Sequence, residues 1–241
     1  MRYLFALVTL LFGLNALAAD YARERKWADE VLPSVLTGDP VWLAQGNGHK
    51  FLGLYTPGDK AKAGLVVVHG IGVHPDWGMI SALRQQLPEA GYATLSIQMP
   101  VLKVDAKTDD YPPTFDEAAE RLKLAVAFLK AQGYSKVAVV AHSLGTRMSY
   151  HYLSRAPDAP VAAWVAIGTS GALDTAKLKM PILDLYGQND LPQVVKNAGK
   201  RAAGLKQKGS AQVVVPGADH FFEGKDAALL EQVRGWLDKT L

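Results

Sequence analysis

Two short motifs could supply a serine nucleophile and the backbone donors that acyl transfer requires. In Ala141-His142-Ser143-Leu144-Gly145, small residues two positions before and after the serine allow a sharp turn that exposes its hydroxyl. In His69-Gly70-Ile71-Gly72, the glycines let the backbone pass close to a substrate. Acyl transfer needs two N–H donors at the developing oxyanion, and we expect Ile71 and Leu144 to supply them.

Two further segments could supply a general base and the carboxylate that orients it. Gly187-Gln188-Asn189-Asp190 ends in an acid, and Gly217-Ala218-Asp219-His220-Phe221-Phe222 contains a histidine. Taken singly, Asp190 could instead cap a turn and His220 could lie on a surface loop. Asp184, within the apolar run before Asp190, is a second candidate for the acid.

The elements that would position these residues form a regular series of strands and helices. Asn47-Gly48 indicates a hairpin, and Leu65–Val68 has the unbroken apolar pattern of a strand buried on both faces. The eight predicted strands cover residues 41–45, 51–56, 65–68, 92–97, 136–141, 161–167, 182–186 and 212–215. After the first two, helical patterns separate most successive strands. This predicts an α/β fold with an eight-stranded, mostly parallel sheet and helices on both faces.

The candidate residues follow four different predicted strands, in the chain order oxyanion loop, Ser, Asp, His. Ligands of such sheets bind beyond the carboxyl ends of the strands, so this joint placement is more specific than any single motif. With Val67-Val68-His69-Gly70 and residues 217–222, it makes residues 41–241 resemble the α/β-hydrolases, in particular compact bacterial esterases and lipases. Ala141 stands where the usual motif has glycine.

The resemblance implies a function and a role for each residue. Ser143 would be the nucleophile, His220 the general base and Asp190 its partner, in a serine hydrolase that cleaves carboxylic esters through an acyl-enzyme. It implies a small-molecule ester substrate and no metal or organic cofactor. Two alternatives stay open: a non-catalytic binding protein with this fold, and a hydrolase of amides, thioesters or lactones.

The walls of the predicted site come from residues at or just after strand ends. We expect four of them to bind substrate: Trp77, Met99, Thr169 and Ser170. Only about a dozen residues separate the sixth and seventh predicted strands, so a large lid domain has no room there. Residues 99–114 are the expected wall. His74-Pro75-Asp76-Trp77 and Gln98-Met99-Pro100 further resemble a poorly characterised periplasmic branch of the superfamily.

The composition excludes several other classes of protein. Of the 241 residues, 49% are hydrophobic and 20% charged, which is typical of a packed globular chain and not of a disordered one. The formal net charge of +3 argues against a nucleic-acid binder. The sequence has no cysteine, which excludes disulfides, thiolate nucleophiles and zinc–cysteine sites. The oligomeric state stays open.

The first residues have the pattern of a bacterial secretory signal peptide. Arg2 precedes an apolar run, Leu4–Leu14, and small residues follow at Ala16 and Ala18. We expect residues 1–19 to be the signal peptide, cleaved after Ala18 or Ala19. The mature protein would then be periplasmic or secreted, without a stable membrane anchor. Residues 20–40 are expected to form an N-terminal helical segment and residues 41–241 the hydrolase domain.

Overall fold

The computed structural model describes residues 19–241, and one eight-stranded sheet organises them. Its spatial order is β1-β2-β4-β3-β5-β6-β7-β8. The antiparallel pairs are β1–β2 and β2–β4, and the other neighbours are parallel. The strands are β1 (Asp39–Ala44), β2 (Lys50–Thr56), β3 (Gly64–Val68), β4 (Ala93–Ile97), β5 (Val137–His142), β6 (Ala163–Ile167), β7 (Ile182–Gly187) and β8 (Ala211–Val215). The predicted mostly parallel sheet is confirmed.

The helices cover both faces of this sheet. They are α1 (Tyr21–Val31), α2 (Gly78–Gln86), α3 (Phe115–Ala131), α4 (Leu144–Arg155), α5 (Pro192–Gly204) and α6 (Asp226–Thr240). Alternate residues of β3 enter two different cores, because successive side chains of a strand point to opposite faces. Val66 and Val68 pack in the core that contains the apolar sides of α3 and α4. Leu65 and Val67 pack in the core that contains those of α2 and α6.

The register of the central strands brings the predicted motifs to one edge of the sheet. Val68 at the end of β3 pairs with Ala141 on β5, so His69 and His142 leave adjacent strands at the same level. On the other side of β5, His142 pairs with Ile167 at the end of β6. The loops that follow β3, β5 and β6 therefore meet at one edge.

The structure differs from the sequence-based prediction mainly at the N-terminal segment. The helical segment was expected over residues 20–40, but α1 ends at Val31 and a single 3₁₀ turn follows at Leu32–Ser34. Pro33 explains this end, because proline has no N–H to continue the helix. The predicted signal peptide lies outside the described residues, apart from Ala19. In the described range, no helix is long and apolar enough to cross a membrane.

Candidate active site

Ser143 occupies a strained turn between a strand and a helix. β5 ends at His142 and α4 begins at Leu144, so the serine alone connects them. Its φ of 53° and ψ of −120° lie in a region that non-glycine residues rarely adopt. The turn places the hydroxyl at the N-terminus of α4. The N–H of Leu144, the first of that helix, has no carbonyl partner within the helix.

His220 lies between Ser143 and Asp190, within hydrogen-bond distance of both. Its Nε2 is 2.9 Å from Ser143 Oγ, and its Nδ1 is 2.6 Å from Asp190 Oδ1. The Asp190 carboxylate also accepts the N–H of Leu191 at 2.7 Å and the N–H of Gly187 at 3.2 Å. These backbone donors fix the carboxylate against the imidazole. The structure thus brings together the three residues predicted from sequence.

Asp184, the other candidate acid, lies elsewhere. Its two oxygens accept Arg201 Nε at 2.9 and 3.0 Å, and one accepts Gln212 Nε2 at 2.6 Å. Burial raises the pKa of Asp184, while the Arg201 guanidinium opposes that rise. The Asp184 carboxylate is therefore bound in a buried ion pair between β7 and α5, and Asp190 is the acid that contacts His220.

His69 holds the backbone of the predicted oxyanion loop in one orientation. Its Nδ1–H donates to the Gly70 carbonyl at 2.8 Å, and its Nε2 accepts the Met99 N–H at 2.9 Å. Burial lowers the pKa of His69 to about 3, so the ring is neutral at pH 7. In a trans peptide the C=O and N–H point in opposite directions. Fixing the Gly70 oxygen therefore turns the Ile71 N–H away from His69.

Gly70 allows this loop to approach Ser143 closely. A Cβ atom on Gly70 would lie 3.1 Å from Ser143 Cβ and 3.2 Å from His142 Nδ1, which is too tight for an ordinary side-chain contact. Ile71 and Leu144 line the same cavity as Ser143. Both predicted oxyanion donors are thus placed around the serine.

His142 makes a contact that could not be expected from the sequence. Its Nε2–H donates to the backbone carbonyl of His220 at 2.9 Å, and the two rings lie 4.8 Å apart. Burial lowers the pKa of His142 to about 4, and the neighbouring His220 adds to the effect. A neutral His142 therefore ties the end of β5, next to Ser143, to the loop that carries His220. No sequence signal could have identified this role, because 78 residues separate the partners.

The two buried histidines predict a loss of stability in mild acid. Each has a folded pKa below the unfolded value of about 6.5, so unfolding takes up protons as the pH falls below that value. Between pH 7 and pH 5 each histidine should lower the free energy of unfolding by about 2 kcal/mol. Urea unfolding at several pH values measures this, and His142→Asn should remove about half of the decrease. A constant stability over this range would contradict the buried, neutral state of both rings.

A cavity of about 230 Å³ opens beside Ser143 and His220. Two of the predicted substrate-binding residues, Trp77 and Ser170, line it. Five other residues that line the cavity were not predicted from the sequence to bind substrate: Val73, Thr108, Leu191, Gln193 and Phe221. Thr108 does belong to the segment 99–114 that was expected to form a wall. Leu191 and Gln193 could have been proposed from their position just after Asp190.

The other two predicted substrate-binding residues do not line this cavity. The Met99 side chain is buried in the core beside α3 and α4, and only its backbone supports the loop through His69. Thr169 is buried and faces a different, much smaller cavity lined by Trp164 and Arg201. Adjacent residues beyond a strand end can point to opposite sides, so Ser170 reaches the cavity beside Ser143 and Thr169 does not.

Comparisons with known proteins identify the family and the fold. A family described as a protein of unknown function, DUF3530, matches residues 15–114 and 103–239. No curated protein matches the sequence. Among solved structures, the dienelactone hydrolase from Anabaena variabilis is 24% identical with a TM-score of 0.70, and the alignment covers 84% of this chain and 97% of that one.

Two other similar structures are more distant in sequence. Est1E from Butyrivibrio proteoclasticus is 14% identical with a TM-score of 0.67, covering 83% of this chain and 98% of that one. A soluble variant of monoglyceride lipase from Saccharomyces cerevisiae is 12% identical with a TM-score of 0.65, covering 86% of this chain and 96% of that one. The predicted α/β-hydrolase fold is confirmed, and the periplasmic branch stays a prediction. The chain belongs to the DUF3530 family of proteins of unknown function, on an α/β-hydrolase fold.

Proposed function

We propose that this protein is a serine hydrolase that cleaves carboxylic esters through an acyl-enzyme. The observation that carries the proposal is the continuous hydrogen-bonded series from Ser143 through His220 to Asp190, at 2.9 and 2.6 Å. A histidine that is neutral and oriented by a carboxylate can take the serine proton. Structural neighbours whose names include an esterase and a lipase are consistent with this chemistry.

The first half of the reaction forms the acyl-enzyme. Ser143 Oγ attacks the ester carbonyl carbon while His220 Nε2 takes its proton, and the N–H groups of Ile71 and Leu144 stabilise the oxyanion. Asp190 holds His220 in the tautomer with hydrogen on Nδ1 and stabilises the imidazolium. The imidazolium then donates its proton to the alcohol oxygen as the carbon–oxygen bond breaks.

The second half repeats these steps with water as the nucleophile. His220 takes a proton from water as its oxygen attacks the acyl carbon, and the same two N–H groups stabilise the second tetrahedral intermediate. When the intermediate collapses, the proton passes from His220 to Ser143 Oγ and the carboxylic acid leaves. The residues described here suffice for this sequence of steps, so the proposal includes no cofactor.

The cavity favours small, neutral acyl groups. Its 230 Å³ corresponds to about eight groups of the size of water, and a methylene is of similar size. Its apolar surface comes from Ile71, Val73, Leu191 and the rings of Trp77 and Phe221. Within residues 19–241, no Lys, Arg, Asp or Glu lines this cavity. We therefore propose ester substrates with neutral acyl chains of up to about eight non-hydrogen atoms, and the alternative amide, thioester and lactone substrates would fit the same cavity.

Labelling with a fluorophosphonate probe tests the proposal. Wild type should react, Ser143→Ala should not, and His220→Ala should react far more slowly. Ser149→Ala is the matched control, because it removes a buried hydroxyl from the same helix. Hydrolysis of p-nitrophenyl esters of increasing chain length then reports acyl preference. Folded wild-type protein that neither reacts nor hydrolyses would favour the alternative, a non-catalytic binding protein.

We also propose that the protein is exported. Cleavage after Ala18 or Ala19 would leave all of α1 together with Asp20, whose carboxylate accepts the Arg23 N–H at 3.0 Å and caps the helix. The proposed cleavage thus preserves the first helix of the described residues. N-terminal sequencing of the protein from a periplasmic fraction tests this, and a chain that retains Met1 would contradict it.

A further inference from the structure

A line of hydrogen bonds connects the buried side chain of Arg121, on α3, to the oxyanion loop. Arg121 Nη1 donates to the Gln98 carbonyl at 3.0 Å. The next N–H, that of Met99, donates to His69 Nε2 at 2.9 Å. His69 Nδ1–H donates in turn to the Gly70 carbonyl at 2.8 Å. The line ends at the Ile71 N–H, one of the two proposed oxyanion donors.

All the donors in this line point in the same direction, away from Arg121. The line contains two peptide groups, Gln98–Met99 and Gly70–Ile71, with the His69 ring between them. In each peptide group the C=O receives a hydrogen bond from the Arg121 side, and the N–H on the opposite edge points onward. Hydrogen bonds arranged in series polarise one another, and a low-dielectric interior strengthens the effect. A strong donor at one end, here the Arg121 guanidinium, therefore strengthens the donor at the other end.

Arg121 is itself held by three side chains, two of which come from other parts of the fold. Glu24 on α1 accepts its Nη1 at 3.0 Å, Glu117 on α3 accepts its Nη2 at 2.6 Å, and Gln45 after β1 accepts its Nε at 3.0 Å. Arg121 is fully buried, and Glu24 is only 4% exposed. Through this ion pair, α1 is attached to the same group of hydrogen bonds as the oxyanion loop. The proposed mechanism gives none of these three side chains a role.

We propose that Arg121 is a positioning residue for the oxyanion hole, acting through the Gln98–Met99 peptide and His69 on the Ile71 N–H. This inference rests on the proposed hydrolase function. It differs from a purely structural role, in which Arg121 only neutralises Glu24 and anchors α1. A structural role would change the stability of the protein and leave the turnover of the folded enzyme as it is. A positioning role changes the binding of the oxyanion, which forms only during the reaction.

The test compares two double variants that each remove a buried ion pair. Arg121→Met with Glu24→Gln breaks the line at its start without leaving the Glu24 charge unpaired. Arg201→Met with Asp184→Asn is the matched control, because this pair is equally buried and has no hydrogen bond to His69 or Gly70. The measurements are kcat and KM for a short p-nitrophenyl ester and the affinity for an alkylboronic acid, whose tetrahedral adduct occupies the oxyanion site.

We expect the first double variant to lower kcat about three- to tenfold, with KM within about twofold. This is less than the 10²–10³ effect of removing an oxyanion donor, because the donor remains. Affinity for the boronic acid should fall by the same factor as kcat. The control should keep kcat within about twofold. An Arg121→Met/Glu24→Gln protein that is folded and turns over like the control would overturn the inference.

A measurement on wild type keeps the inference testable if that variant does not fold. Nitrogen NMR should report His69 with hydrogen on Nδ1 and none on Nε2, and the Ile71 amide proton should move downfield when the boronic acid binds. Hydrogen on Nε2 would reverse the middle of the line and overturn the inference. The proposed function fails separately, if wild type shows neither fluorophosphonate labelling nor ester hydrolysis.

Discussion

Asp190→Asn is expected to lower kcat by about four orders of magnitude, as loss of the triad acid does in serine proteases. Asp190 Oδ1 accepts His220 Nδ1–H at 2.6 Å and so leaves Nε2 free to take the serine proton. An asparagine NH₂ in that position would donate to Nδ1 and favour the tautomer with hydrogen on Nε2. That tautomer cannot accept the Ser143 proton.

Asp184→Asn is the matched comparison, because Asp184 is the other buried aspartate of β7 and the loop that follows it. It should leave kcat within about threefold, since Asp184 contacts Arg201 and not His220. It should lower the free energy of unfolding by about 3 kcal/mol, because the Arg201 charge stays buried without its partner. Ester kinetics and urea unfolding on both variants measure these effects. A larger loss of kcat in Asp184→Asn would show that the acid has been misassigned.

Gly145→Ala is expected to lower the free energy of unfolding by about 3 kcal/mol and to reduce activity with it. A Cβ atom at this position in α4 would lie 2.5 Å from the His69 carbonyl oxygen and 2.9 Å from Val68 Cγ1. Backbone cannot move aside as a side-chain end can, so α4 must shift away from β3. That shift would separate Ser143 from the oxyanion loop.

Two other helical glycines provide the control. Gly199 in α5 and Gly235 in α6 have open space where a Cβ would be. Alanine at either position should raise the free energy of unfolding by about 0.5–1 kcal/mol, the usual gain for a helix interior. Urea unfolding compares the three variants directly. A Gly145→Ala protein that is as stable as Gly199→Ala would contradict the close packing of α4 against the end of β3.

The sequence by itself determined the sheet and the places of the proposed catalytic groups. Apolar runs such as Leu65–Val68 identify strands through local pattern, and their alternation with helices requires a parallel arrangement. Parallel strands end at one edge, so Ser143, Asp190 and His220 could be predicted to meet without any knowledge of distances. Local signals were sufficient because Ser143 directly follows β5, and Asp190 and His220 lie in the loops that follow β7 and β8.

Only the tertiary structure decided which side chains face one another. Arg201, on α5, pairs with Asp184, and Asp190 is the aspartate that contacts His220. Met99 and Thr169 turn into the interior, although each follows a strand end as Ser170 does. Arg121 was not singled out from the sequence, yet it is fully buried and stands at the start of the line of hydrogen bonds to Ile71. Residues far away in the chain decide where a side chain beyond a strand end points and which group pairs with a buried charge. Local sequence pattern carries no information about those distant residues.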